Sequence, residues 1–143
     1  NIIGQIGEEL AAKIMRKKGV RVVDMNWKFG HLEMDVIAVS RKEIAFVEVK
    51  TRTTSFGGKR PEEYVDELKR RRMAAAANAY IKINQIDKTP RFDIIGITMD
   101  ANTHEVKEVT HLEDAFLPPQ RTIGKSSFSG QGRWHHRNRV IGK

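Results

Sequence analysis

Cysteine is absent from this 143-residue chain, which excludes disulfides, thiolate metal sites and cysteine nucleophiles together. No stretch approaches the roughly 18 consecutive apolar residues of a membrane span. No basic-then-apolar leader opens the chain, so neither membrane insertion nor secretion is expected. A cytoplasmic protein of bacterial type is the default. There is no Walker loop, no Gly-x-Gly-x-x-Gly and no Ser/His/Asp arrangement. His31, His104 and His111 are scattered without metal-ligand spacing and are expected at the surface. With 39% hydrophobic and 31% charged residues, the chain is not wholly disordered. Its length suits one folded domain, large enough to bury on the order of two-thirds of its unfolded surface.

Acidic residues are missing from one stretch in particular. From Pro118 to Lys143 there are six basic residues (Arg121, Lys125, Arg133, Arg137, Arg139, Lys143) and no acidic one. The formal charge of +8 is therefore mostly a property of this end, and residues 1–117 keep 20 basic against 18 acidic side chains. Pro118-Pro119 opens a run of Gly, Ser, Arg and His without periodicity, which predicts a disordered or extended basic tail after a folded domain over residues 1–117. Within it, Trp134-His135-His136-Arg137 places an aromatic among cations, a weak nucleic-acid signal.

The body reads as alternating helix and strand. Residues from about Gln5 to Lys18 predict a helix stopped by Gly19, with Ile6, Leu10 and Ile14 centred on one apolar arc and Glu8 at its border. Strands are predicted over about Arg21–Asn26, Leu32–Val39 and Ile44–Thr51, rich in Val and Ile. Thr53–Arg60, with Gly57 and Gly58, reads as a mobile loop. Pro61 suits a helix start, and that helix is expected to run to about Ile83. A buried strand over Arg91–Met99 and an edge strand over Glu105–His111 complete an α-β-β-β-α-β-β order.

The chemistry-bearing stretch is Glu33-Met34-Asp35 on one strand and Glu48-Val49-Lys50 on the next. Alternation puts Glu33 with Asp35 on one face, and Glu48 with Lys50 on one face. A symmetric hairpin, with a turn of two residues (Arg41-Lys42) or of four, sets Asp35 opposite Glu48 and Glu33 opposite Lys50, with Cβ atoms roughly 4.5–5.5 Å apart. An odd-length loop shifts the register and spoils this pairing. Two carboxylates that close, amid Val, Ile and Phe, repel unless a cation or a shared proton lies between them. Hard divalent cations such as Mg²⁺ take oxygen ligands, few of them from protein. A neighbouring lysine can orient water or stabilise charge on a phosphate. The set is a workable arrangement for phosphodiester hydrolysis, and equally a surface ion-pair ladder.

Asp35 followed by Glu48-x-Lys50 resembles the PD-(D/E)xK restriction-endonuclease-like superfamily. More closely, Gly7-Glu8-Glu9-Leu10-Ala11, Asn26-Trp27, Glu33-Met34-Asp35-Val36-Ile37-Ala38, Phe46-Val47-Glu48-Val49-Lys50-Thr51-Arg52 and Phe56-Gly57 resemble the small UPF0102 (YraN) family. The similarity continues through Lys69–Arg72 and Arg91-Phe92-Asp93 and covers about residues 4–117. Members of that family are similar to archaeal Holliday-junction resolvases. Leu32 departs from the pattern, standing where many members carry glycine.

The resemblance implies an α/β fold with a restriction-endonuclease-like α-β-β-β-α-β core. Its mixed central sheet would be flanked by helices, with an extra edge strand. It implies Mg²⁺ or Mn²⁺ held by Asp35 and Glu48, catalytic assistance from Lys50 and a supporting carboxylate from Glu8. The expected activity is metal-dependent endonucleolytic hydrolysis of DNA, on branched or otherwise structured substrates. Junction-cutting relatives are dimers, which makes a homodimer one expectation.

Thr51 and Arg52 either touch phosphate or end their strand. Lys59 and the basic residues of the second helix would follow a phosphate backbone. Lys69-Arg70-Arg71-Arg72 cannot form a single face. At ~100° per residue, Arg72 falls into an apolar stripe with Val65, Leu68, Ala76 and Ala79, as a snorkelling side chain or a phosphate contact. Lys69 is open between the same two roles, while Arg70 and Arg71 are expected to be structural. Two other classes compete with the nuclease. One is a nucleic-acid-binding module of the same fold with little or no catalysis. The other is an interaction domain docked through the basic tail.

Overall fold

The computed structural model describes residues 2–53 and 61–117, the first two of the second stretch by backbone alone. Of the loop expected over Thr53–Arg60, residues 54–60, Lys59 among them, lie outside the described residues, as does the basic segment from Pro118. The elements are α1 (Ile2–Lys17), β1 (Arg21–Phe29), β2 (Leu32–Val39), β3 (Glu43–Arg52), a 3₁₀ turn (Pro61–Tyr64), α2 (Glu67–Asn84), β4 (Thr89–Met99) and β5 (Val106–Phe116). They form a mixed α/β fold around one five-stranded sheet in the order β1-β2-β3-β4-β5.

Strands β1, β2 and β3 form an antiparallel meander, β2 pairing antiparallel with both β1 and β3, and β4 lies parallel to β3. Parallel neighbours need a long crossover, and α2 supplies it. β5 returns antiparallel along β4. Each face of the sheet carries one helix. Ala11 and Met15 of α1 pack on Val36, Ala38, Ala45, Val47 and Ile95. Met73, Ala76, Ala77 and Tyr80 of α2 pack on Ile37, Phe46, Phe92 and Ile94. The alanines let α2 approach the sheet closely, as their run in the sequence suggests.

Four expectations need correction. The second helix starts at Glu67, not Pro61, because Asp66 caps it by accepting the Lys69 N–H at 2.8 Å. A carboxylate that takes an orphan first-turn donor fixes the helix start, and Pro61–Tyr64 winds as a separate 3₁₀ turn. β1 does not end at Asn26. That residue adopts φ 51°, and the strand continues to Phe29, with Trp27 opposite Met34. β5 extends past His111 to Phe116 through an irregularity at Asp114, where φ is 55°. Arg72 is exposed rather than striped with the apolar residues, and Leu68 is 52% exposed. The buried stripe of α2 runs through Met73, Ala76 and Tyr80 instead.

Candidate carboxylate site

The β2–β3 ladder holds the register that a four-residue connection demands. Val36 lies opposite Val47 and Val39 opposite Ile44, and the turn is closed by the Ser40 N–H donating to Glu43 O at 2.9 Å. The ladder ends at Val36 and Val47. One residue further, Asp35 Oδ2 accepts the Val49 N–H at 2.8 Å. The side chain thus occupies a position that a strand carbonyl would hold.

Faces switch at this same level. Met34 packs on the α2 side of the sheet and Val36 on the α1 side. On β1, Met25 faces α1 and Trp27 faces α2, with the left-handed Asn26 between them. The alternation of side chains between the two faces breaks here, and Asp35 sits at the break.

Glu48 is buried at 8% exposure, and its carboxyl hydrogen-bonds that of Asp35. Burial, then the Asp35 charge, push the Glu48 carboxyl up to about 7, against the opposing pull of Lys69. Asp35 is also raised by burial, while the Val49 N–H and Lys69 favour its charged form. The pair holds a proton near neutral pH, and Glu48 is its better seat because Asp35 already accepts a backbone donor.

Glu8 reaches the same neighbourhood from α1. Its carboxyl is raised by burial, is hydrogen-bonded by the Asn26 side chain, and feels the charges of Asp35 and Glu33. Gly7 sets its approach: a Cβ at Gly7 would collide with Thr51 Oγ1. Only a residue without a side chain lets α1 lie this close to the end of β3. Thr51, read as a strand end or a phosphate contact, is the other half of that contact.

The cations divide into two groups. Lys69 Nζ lies 3.4 Å from Glu48 Oε1. Lys50 Nζ instead stands 6.0 Å from the centre of the Tyr64 ring, with Arg52 over the same ring at 5.2 Å. Among the described residues no ion pair joins Glu33 to Lys50, and the ladder stops short of pairing them. Arg71 pairs with Glu67 at 3.2 Å. Arg70 donates to Val65 O at 3.1 Å and lies over Phe116. Both are structural.

The sequence reading left the Lys69–Glu48 pair unassigned because it anchored the helical stripe on Val65 and Leu68. Counting back from Met73 puts Lys69 on the sheet-facing side. Tyr64 carried no signal of its own, and Asn26 entered only through the Asn26-Trp27 motif, with no role assigned.

A second polar cluster also escaped sequence reading. Asp93 is fully buried, accepting from Arg91 Nε at 3.0 Å and the Asp114 N–H at 3.0 Å, with His111 Nε2 at 2.8 Å. His111 is therefore no surface residue; its side chain is 5% exposed. Lys18 Nζ meets its other ring nitrogen at 2.6 Å. These contacts tie β5 and α1 to β4 and hold Asp93 below the usual carboxylate range despite burial.

Asp35 and Glu48 offer hard oxygen donors of the kind that Mg²⁺ or Mn²⁺ takes, with few protein ligands and room for water. Among the described residues, no three His, Asp or Glu side chains converge as a metal-holding group. Asp35 and Glu48 are therefore a candidate donor pair, without Glu8 as a converging third member. No helix among the described residues is long and apolar enough to cross a membrane.

Comparison with known sequences places these residues in context. The family described as "Uncharacterised protein family UPF0102" matches residues 7–97, a span that contains Glu8, Asp35, Glu48, Lys50, Lys69 and Asp93. A UPF0102 protein of Porphyromonas gingivalis is 40% identical over 113 residues, 79% of this chain and 82% of its own. One from Bacteroides thetaiotaomicron is 38% identical over 119 residues, 83% of this chain and 95% of its own. One from Flavobacterium psychrophilum is 35% identical over 117 residues, 81% and 94% of the two chains.

Proposed function

This chain belongs to the UPF0102 family, and from its opposed carboxylates we propose that it is a metal-dependent endonuclease that hydrolyses DNA phosphodiester bonds, on branched or structured DNA. The observation that carries this reading is the Asp35–Glu48 pair, a half-buried and a buried carboxyl hydrogen-bonded to each other at the opened end of a ladder. A fold gains no stability by setting two acids together under burial. Such an arrangement makes sense when a cation replaces the proton.

In this reading the fold is restriction-endonuclease-like, with β5 as the added edge strand. Asp35 and Glu48 hold Mg²⁺ or Mn²⁺. When bound, the ion supplies a Lewis acid for a phosphoryl oxygen and acidifies a water. Glu48 gives up its proton on loading. Asp35 keeps its orientation through the Val49 N–H. Lys50, two residues after Glu48 on the same strand, is the cation that in this reading leaves the Tyr64 ring to orient the attacking water and to steady charge on the phosphate. Glu8, behind Asp35, orders the outer waters. Arg52 and the six cations after Pro118 add affinity for the phosphate backbone that falls with salt.

One observation favours a second reading. The pair has two carboxylates and no converging third group among the described residues, and Lys69 already offsets its charge. A nucleic-acid-binding module with weak catalysis would tolerate that arrangement. The test is cleavage of linear, nicked and four-way DNA in Mg²⁺, Mn²⁺ and EDTA, by wild type and Glu48→Gln. Metal-dependent cleavage lost in the variant is the expected result. DNA binding without cleavage by either protein would overturn the nuclease in favour of the module.

A further inference from the structure

We propose that Lys69 is the internal counter-ion of the carboxylate pair, one that yields Glu48 to an incoming divalent cation and then serves as an anchor for a phosphodiester. This rests on the metal-dependent reading above and concerns the regulation of that same site.

Lys69 is delivered by α2, not by the strand that carries Glu48. Its backbone is pinned by the Asp66 cap at 2.8 Å. Its position on the helix, one turn before Met73, directs it toward the sheet. Its ammonium reaches Glu48 Oε1 at 3.4 Å, with 39% of the side chain exposed against 11% for Glu48. The neighbouring cations have other engagements: Lys50 and Arg52 lie at the Tyr64 ring, and Arg71 pairs with Glu67.

An ammonium and a divalent cation cannot share one carboxylate without repelling each other. The anchored residue is the backbone; the head is on a flexible four-carbon stem. Lys69 can therefore withdraw from Glu48 without any movement of α2, and its half-exposed position leaves water to receive it. Once displaced it is a cation beside the site with no carboxylate of its own. A single phosphodiester charge supplies the match. The helix thus couples loading of the ion to capture of the substrate backbone.

Titration calorimetry with Mn²⁺ on the full chain tests the exchange. Lys69→Met should bind Mn²⁺ roughly three- to fivefold more tightly than wild type, the worth of one half-exposed ion pair. Lys69→Arg, which keeps the charge, should bind within about twofold of wild type, as should Lys50→Met, whose cation is not on Glu48. In the second arm, Mn²⁺ should raise the affinity of wild type for a phosphorothioate-substituted duplex, read by fluorescence anisotropy. The rise should shrink in Lys69→Met. Equal tightening by Lys50→Met and Lys69→Met would reduce the effect to general charge and overturn the exchange. Weaker Mn²⁺ binding by Lys69→Met would also overturn it, by making Lys69 a support of the site and not a competitor. Failure of wild type itself to bind Mn²⁺ would instead remove the metal-dependent reading on which both arms stand.

Discussion

The carboxylate of Asp35 completes the β3 backbone: its Oδ2 accepts the Val49 N–H at 2.8 Å, just past the last ladder pair of Val36 and Val47. The same atom group therefore holds the splayed strands together and carries the negative charge that a cation needs. Substitution separates the two roles. Asp35→Asn keeps an acceptor for Val49 and loses the charge, so it should melt at or above wild type in EDTA. Asp35→Ala leaves the Val49 N–H without its partner and should lose about 1–3 kcal/mol. Both should abolish Mn²⁺ binding by calorimetry. Retained binding in either would put the ion elsewhere.

The carboxylate site makes the metal-free protein less stable as pH rises. Glu48 titrates near 4.5 when unfolded and at about 7 when folded. Between those values the native state binds the extra proton, so stability is full below the lower value and falls until pH passes the upper one. Asp35 and Glu8 are raised too and act in the same direction. Melting in EDTA from pH 5 to pH 8 should show a decline worth up to about 3 kcal/mol. Glu48→Gln should flatten it. Mg²⁺ should stabilise wild type at pH 8 and leave the variant unchanged. A surface ion pair would be worth no more than about 1 kcal/mol and would be indifferent to Mg²⁺.

Asp93 should behave in the opposite way. Its carboxyl is fully buried, and both oxygens are taken up by Arg91, His111 and the Asp114 N–H. Because its folded value is depressed, its contribution is present above the ordinary carboxylate range and lost in acid. Asp93→Asn should cost about 3–5 kcal/mol in urea denaturation at pH 7, the usual cost of breaking a buried ionic network from one side. Mn²⁺ affinity of the surviving folded protein should be unaffected, since none of its contacts reaches Asp35 or Glu48.

How much of this was legible beforehand follows from the range of the forces involved. The β2–β3 register could be read because alternation and a symmetric turn fix it locally, and the Asp35–Glu48 apposition came with it. The order of helices and strands was legible from periodicity and breakers, while the strand order β1-β2-β3-β4-β5 and the α2 crossover came from the structure. The face switch at Asn26 was not, because a left-handed non-glycine residue inside a strand has no periodic signature. His111 looked like a surface residue because its burial depends on Asp93 and Lys18, which are distant in sequence. Lys69 was visible as a possible phosphate contact, but not as the partner of Glu48. Its distinction is the cap at Asp66, which sets the phase of the whole helix.

The contact of Gly7 with Thr51 gives the sharpest test of how α1 serves the site. A Cβ at Gly7 would run into Thr51 Oγ1 and lie 3.1 Å from Thr51 Cβ. Thr51 lies near the β3 end, beyond the last β2 pair at Val47 but held in register by Ile97 of β4. The helix is therefore the element that must move. Gly7→Ala should cost about 1–3 kcal/mol by overpacking, although alanine favours the helix more than glycine does. The displaced helix carries Glu8 away from Asn26 and Asp35, so metal-dependent cleavage should fall further than stability alone explains. Thr51→Ala removes the hydroxyl but leaves Cβ in place. In the Gly7→Ala background it should restore part of the melting temperature and part of the activity together. Thr51→Ala alone should leave both close to wild type if Thr51 acts only by packing. A large loss of DNA affinity in that single variant, with normal melting, would assign the hydroxyl to the phosphate backbone instead. Gly7→Ala with undiminished stability would mean that α1 does not rest on β3 at this point, and that Glu8 is held by some other contact.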